Sequence, residues 1–292
     1  MIYLESFKAA SRDYEDSFVL NYPYQLEMQC YTHNVYPFKI FPQKCLNTLD
    51  FEPITILYGS NGSGKSTLLN VIAEKLRLSR SAPFNNTPYF SDYLNGCDYT
   101  LRNCQRPPKG SKHISSDDVF DFLLDVRAIN EGISDRRERI FEEYADKKSN
   151  RFQMRSLDDY EELRAHNEAK RTSKSQYTVK RLPAEITLGS NGESAFAYFA
   201  REIAENSLYL LDEPENSLSV KLQIKLSEFL SDSARFFGCQ FIIATHSPIL
   251  LSIKGAKIYD LDRNPVCVSD WTELENVREW FSFFEDHRER FI

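Results

Sequence analysis
The chain has 292 residues, 41% of them hydrophobic and 27% charged, with 36 Lys+Arg against 43 Asp+Glu for a net charge of −7. That composition excludes a disordered, fibrous or collagen-like chain, and the length suffices for a full hydrophobic core in roughly one or two domains. The acidic balance argues against a wholly basic nucleic-acid binder but leaves room for a local basic patch. Six cysteines, at 30, 45, 97, 104, 239 and 267, form no Cys-x-x-Cys pair, so reduced thiols are expected and a zinc site is not. No run approaches the ~20 apolar residues of a bilayer span, and the charged N-terminus holds no apolar signal core. A cytoplasmic protein with no direct membrane insertion is expected.

Residues 1–58 read as strand-rich, with β-prone runs at Ile2–Leu4, Ser17–Leu20 and Tyr36–Phe41. Ile54–Tyr58 is a compact β-branched run, and Lys65–Leu76 has the apolar face of a helix. Residues 81–112 are rich in Pro and Asn and read as loop. Ser115, Ser116, Asp117 and Asp118 give a helix start, and the chain stays charged and helical in character to about Lys174. Residues 134–181 carry 13 Lys+Arg against 10 Asp+Glu and show no sustained heptad, which reads as a solvated helical segment or a nucleic-acid or partner surface.

Farther on, Ser207–Leu211 and Gln240–Ala244 are continuous apolar runs of the kind buried in parallel sheets. An amphipathic helix is expected over Val220–Phe237, a strand over Ile258–Leu261, and a helical tail over Trp271–Ile292 capped by Thr272. The expected organisation is one domain built from residues 1–114 and 182–292, interrupted by a helical insertion at 115–181.

Three clusters carry chemistry. Gly59, Ser60, Asn61, Gly62, Ser63, Gly64, Lys65, Ser66 and Thr67 lie between a strand and a helix and fit G-x-x-x-x-G-K-[ST]. Glycines let consecutive backbone N–H groups converge on a phosphate, and the helix N-terminus adds partial positive charge. Lys65 is expected to reach the β- and γ-phosphates, and the Ser66 hydroxyl to ligate Mg²⁺, which prefers oxygen ligands. Leu208–Leu211 ends in Asp212 and Glu213, placing one carboxylate for the metal and one as general base toward water. Phe241–Thr245 ends in His246, at hydrogen-bonding reach of a γ-phosphate if its strand adjoins that of Asp212.

These residues together resemble the ABC-type ATPases. A further element, Gly189-Ser190-Asn191-Gly192-Glu193, resembles their signature, with Asn191 in place of a Gly and Glu193 in place of a Gln. The resemblance implies a P-loop α/β fold, a mixed sheet with flanking helices and an N-terminal antiparallel β region. It implies Mg-dependent ATP hydrolysis in a head-to-tail homodimer, with Ser190, Gly192 and Glu193 of one subunit closing over ATP held by the other. Glu215–Ser219 resembles the loop linking the two sites. The family's glutamine loop falls near His113–Asp117 or at Gln105, and an adenine-stacking aromatic among Tyr22, Tyr24, Tyr36 and Phe38. The layout is most similar to small stand-alone bacterial AAA-type ATPases. It also touches the overcoming-lysogenization-defect type, whose C-terminal nuclease has no room in the 46 residues after His246. Three outputs stay open: action on nucleic acid or in defence or repair, a nucleotide-dependent switch for a protein partner, and the ATPase subunit of a transporter.

Overall fold
The computed structural model describes residues 1–21, 35–46, 48–103, 106–149, 168, 171 and 191–291. Tyr22, Tyr24, Cys30, Cys104, Gln105, Ser190 and most of residues 150–181 lie outside them. The chain divides into two compact units, Met1–Phe120 with Asn191–Ile292, and Asp121–Ser190.

In the first unit, strand β1 (Leu4–Lys8) is followed by helix α1 (Arg12–Asn21), β2 (Thr48–Asp50), β3 (Ile54–Tyr58), α2 (Lys65–Leu76), α3 (Phe90–Asn95), β4 (Asp98–Leu101) and β5 (Lys112–Ser115). Helix α4 (Ser116–Ser149) then begins. After it come α5 (Asn191–Glu202), β6 (Leu208–Asp212), α6 (Val220–Phe236), β7 (Gln240–Ala244), α7 (Pro248–Leu251), β8 (Lys257–Asp260), β9 (Cys267–Val268) and α8 (Glu275–Asp286). Among the described residues the main sheet has the order β5-β6-β7-β3-β8-β9, all parallel except β9, and a second antiparallel sheet has the order β2-β1-β4. The α/β fold with a mixed sheet and an N-terminal antiparallel region is the one the sequence implies.

The sheet forms from these residues because its central strands are apolar on both faces. Every residue of β3 and β7 is buried, as are Leu208–Leu211 of β6. Leu68, Leu69, Val71 and Ile72 of α2 are fully buried in the core that this sheet shares with the antiparallel one. The Tyr259 hydroxyl of β8 links the two sheets at their margin, donating to the Asp50 carbonyl of β2 at 3.0 Å and accepting from its amide at 2.9 Å, and one fully buried side chain makes the tie inside. Gln240, 0% exposed at the start of β7, accepts from the Tyr3 and Leu4 amides at 2.7 and 2.9 Å and donates to the Leu4 carbonyl at 2.8 Å.

Several local expectations are corrected by tertiary packing. Ser17–Leu20 is not a strand but the end of α1, whose Phe18 stacks on Phe38 at 4.5 Å and whose Tyr14 hydroxyl donates to the Asp92 carbonyl. Tyr36–Phe41 is turn and bend structure: Lys39 takes a φ of 68°, which breaks any strand, and Phe38 and Phe41 are both driven into the core. The 81–112 stretch holds α3, β4 and the first residue of β5 as well as loop; β4 is only four residues long and exists by pairing with β1. The first strand is Leu4–Lys8 rather than Ile2–Leu4. In the tail, Asp270 rather than Thr272 is the cap, accepting from the Thr272 amide at 2.9 Å. Helix α8 presents Trp280, Phe281, Phe283 and Phe284 outward, each 48–70% exposed.

Gln240→Leu removes the tie while keeping side-chain bulk, leaving two buried amides and a carbonyl unpaired. It should cost about 2–4 kcal/mol, read as a lower urea midpoint at unchanged m-value. An unchanged midpoint would show that the Gln240 hydrogen bonds add nothing to the joining of the sheets.

Candidate nucleotide-binding site
Parallel register decides which residues meet. Ser115 lies opposite Asp212, Asp212 opposite Ala244, Ala244 opposite Leu57, and Leu57 opposite Tyr259. The carboxyl ends of five strands therefore form one row, and the segments that leave them carry the phosphate loop, Asp212–Glu213, Thr245–His246 and Ser115–Asp118. Strand β7 sits between β3 and β6, so His246 emerges between the loop and the carboxylate pair. Ligand crevices in parallel α/β sheets lie at this edge.

The loop itself depends on Gly64, which caps α2 at a φ of 94° and would bring a Cβ to 3.2 Å from the Ile40 side chain. Lys65 is only 5% exposed, and its Nζ donates to the Gly59 and Ser60 carbonyls at 2.7 and 3.1 Å. The Ser66 hydroxyl donates to Asp212 Oδ1 at 3.0 Å, so the two oxygen groups singled out for a metal are adjacent. Both are hard oxygen donors of the kind Mg²⁺ takes, and the pair fits that ion. Burial pushes the Asp212 carboxyl up to about 6, opposed by the Ser66 hydrogen bond, and the neighbouring Glu213 charge pushes the same way as burial.

Glu213 holds a left-handed φ of 47° and donates its amide to the Ala244 carbonyl at 2.9 Å. A non-glycine residue in that region is strained, and here the strain turns the side chain at the strand end. Asn216 Nδ2 donates to Glu213 Oε2 at 3.0 Å, and His246 Nδ1 stands 3.7 Å from Glu213 Oε1. Gly192 is buried in the first turn of α5, where a Cβ would fall 2.7 Å from Leu222 Cδ1 and 3.2 Å from the Ser217 carbonyl. Glu193 is exposed beside it. Phe38 is a core residue, and Tyr36 is half-buried with its ring 6.0 Å from that of Phe90.

Several supporting contacts escape a reading of the sequence, one of them made by a residue of the Glu215–Ser219 segment singled out above. Glu215, 6% exposed, accepts from Thr245 Oγ1 at 2.5 Å and from the His246 amide at 3.1 Å, fixing the histidine turn from beneath. Asn276, the second residue of α8, donates to the His246 carbonyl at 2.8 Å. Asp262, just past β8, accepts from the Ser60 amide and hydroxyl at 2.6 and 2.9 Å. These contacts span 31, 30 and 202 positions of chain, so no local pattern announces them. A cavity of 310 Å³ opens beside Ser66, Asp212 and Glu213, lined also by Arg80, His113 and Asp117. His113 is 3% exposed with neither ring nitrogen hydrogen-bonded, and burial, with the nearby Arg80 charge, holds it down at about 4 and therefore neutral. At the same edge Ser115 and Asp118 form a reciprocal cap for α4, the Asp118 carboxylate accepting from the Ser115 amide at 2.7 Å.

Residues 180–252 match the family described as "AAA domain, putative AbiEii toxin, Type IV TA system". The matched stretch contains Gly192, Asp212, Glu213 and His246. None of the curated proteins matches this chain. Similar solved structures include "an inward-facing conformation of a putative metal-chelate type ABC transporter", 17% identical over 97% of this chain and 90% of that one, with a TM-score of 0.40. They also include an Smc head bound to the C-winged helix domain of ScpA, 18% identical over 80% and 94% of the two chains, TM-score 0.39. A third is an Smc head with an extended coiled coil bound to the C-terminal domain of ScpA from Pyrococcus furiosus, 14% identical over 99% and 100%, TM-score 0.39.

The raised Asp212 value makes a stability prediction. Its charged form is penalised by folding, so its contribution is most favourable below the ordinary carboxylate value near 4 and is lost as pH rises through about 6. Asp212→Asn keeps an acceptor for Ser66 and removes the charge. Without nucleotide it should be more stable than wild type by about 2–3 kcal/mol at pH 8, with the gap closing below about pH 4. Thermal unfolding across that range checks it, and a destabilised variant at pH 8 would show that Asp212 is not under desolvation strain.

Residues 180–252 thus match an AAA-domain family, and the loop that fits the phosphate-binding pattern sits at the carboxyl edge of a parallel α/β sheet.

Proposed function
We propose that this chain binds and hydrolyses ATP with Mg²⁺, and that its active form is a head-to-tail homodimer with ATP at the interface. The observation that supports this best is the adjacency of Ser66 and Asp212, 3.0 Å apart, beside buried Lys65 and strand-end Glu213. Glu213 acts as general base toward the attacking water. Lys65 and the loop N–H groups of Gly62–Ser66 stabilise charge on the transferring phosphoryl group. His246, held by Glu215 and Asn276, hydrogen-bonds the γ-phosphate. Mg²⁺, when held by Ser66 and Asp212, supplies neutralising charge to the phosphate oxygens. Catalysis of this kind is positioning and electrostatics.

Ser190, Gly192 and Glu193 of one subunit close over the phosphates bound by the other, and Glu215–Ser219 links the two sites. ATP then closes the dimer and hydrolysis opens it, so the output is a conformational change. We read the output as action on nucleic acid, in a defence or repair role, in a cytoplasmic protein whose 115–181 segment offers a nucleic-acid or protein surface. Among the described residues no helix is long and apolar enough to cross a membrane.

A second reading, a nucleotide-dependent switch for a protein partner, is favoured by one observation. Helix α8 exposes an aromatic face and, through Asn276, holds the His246 carbonyl. A partner seated on that helix would bear directly on the γ-phosphate residue.

Glu213→Gln should lower turnover by about 10²–10⁴-fold while ATP binding persists. Light scattering of this variant should show a monomer-to-dimer shift on adding Mg-ATP. ATP binding without any shift in mass would reject the composite site and move the partner-switch reading ahead. Undiminished turnover would reject Glu213 as the base.

A further inference from the structure
A groove of 990 Å³ lies where the C-terminal end of α2, the end of α3, strand β4 and the turn before β5 meet. Its wall includes Glu74, Arg77, Asp98, Tyr99, Arg106 and Lys109. None of these belongs to the nucleotide site.

The charges around it do not balance. Glu74 is paired with Arg80 at 3.7 Å; Asp98 Oδ1 accepts from the Tyr99 amide at 2.8 Å, a bond that leaves its charge in place, and the Lys75 ammonium on the same wall offsets it. Arg77, Arg106 and Lys109 are exposed, and among the described residues none has an acidic partner within ion-pair distance. A fourth cation on the wall, Lys75, is spent on the Leu94 carbonyl at 2.8 Å. Three like charges are therefore held around one concavity in a chain whose net charge is −7. Such a concentration favours an anion. The acidic remainder does not cancel it, because charges farther off than about 8 Å are screened at physiological salt.

The size and spread of the groove fit an extended polyanion rather than a single small ion. Tyr99 adds a second feature: it is half-buried, packed against the core, and lines the groove. A cationic groove with an aromatic side chain in its wall is the pattern that binds single-stranded nucleic acid, phosphates on the cations and a base on the ring.

We propose that this groove binds single-stranded nucleic acid through Arg77, Arg106, Lys109 and Tyr99. The proposal rests on the nucleic-acid reading of the output above, but not on ATP turnover. Three phosphate contacts on a single strand give a salt slope of about −2, so affinity should fall roughly 20-fold between about 50 and 200 mM salt.

The test uses the full chain and a fluorescein-labelled oligothymidylate of about 20 nucleotides, followed by fluorescence anisotropy across that salt range. The combined change Arg77→Glu, Arg106→Glu and Lys109→Glu should weaken binding at least about tenfold and flatten the salt slope. The milder pair Arg77→Gln and Lys109→Gln, which only neutralises exposed charge, should weaken it in the same direction. Both variants are checked for an unchanged unfolding midpoint and for binding of a fluorescent ATP analogue. Absence of oligonucleotide binding, equal binding by the milder pair, preference for a duplex, or equal competition by polyglutamate would each overturn the proposal. Loss of ATP-analogue binding with oligonucleotide binding intact would instead overturn the ATPase reading alone.

Discussion

Strand β7 lies between β3 and β6, paired in parallel register with both, and the candidate site depends on that pairing. It places Ala244 opposite both Leu57 and Asp212, so the phosphate loop, the histidine turn and the carboxylate pair leave the sheet in one row. Parallel pairing needs both faces of the sheet covered, which is why β3 and β7 are buried at every position. Polar chemistry is thereby confined to the strand ends, where backbone N–H groups and carboxylates meet solvent. A one-residue slip of β7 would turn every side chain to the opposite face and carry His246 out of line with Glu213.

That edge holds charge under partial desolvation. Asp212 sits where burial disfavours its ionised form, Glu215 is buried with one oxygen accepting two hydrogen bonds and the other none, and Lys65 donates only to loop carbonyls. An unpaired buried charge is costly, and a cation or a polyphosphate relieves it. The left-handed Glu213 and the strained turn that follows β6 belong to the same pattern, in which local strain is tolerated because the surrounding sheet over-determines it. The supporting groups come from distant segments. Asp262 holds Ser60 from one side of the sheet and Asn276 holds the His246 turn from the start of α8.

The outer parts of the first unit carry different chemistry on different surfaces. Helix α8 offers an aromatic face anchored to the histidine turn, while the groove beside β4 gathers unpaired cations. The overall acidity of the chain conceals the second feature, because a net charge averages over surfaces that a screened ligand meets one at a time.

Much of the fold and of the site was legible in the sequence, for a physical reason. Ile54–Tyr58, Lys65–Leu76, Ser207–Leu211 and Gln240–Ala244 are locally consistent: the composition and apolar pattern of each point to one element, and each of those elements is present. The candidate phosphate loop and the Asp212–Glu213 pair are each short local patterns, glycines ahead of a lysine in one and carboxylates at the end of an apolar run in the other, so each is visible in the sequence, while their adjacency comes from the fold. The failures lie where local preference was weak and long-range contact won. Ser17–Leu20 became helix because Tyr14 and Phe18 pack on Asp92 and Phe38, and β4 became a strand because β1 was there to pair with. Only the tertiary structure decided that Gln240 ties two sheets, that Glu215 and Asn276 hold His246, and that Asp262 holds Ser60. Each of those contacts joins residues 30 or more positions apart, across distances in the chain over which no hydrophobic period or turn signal survives.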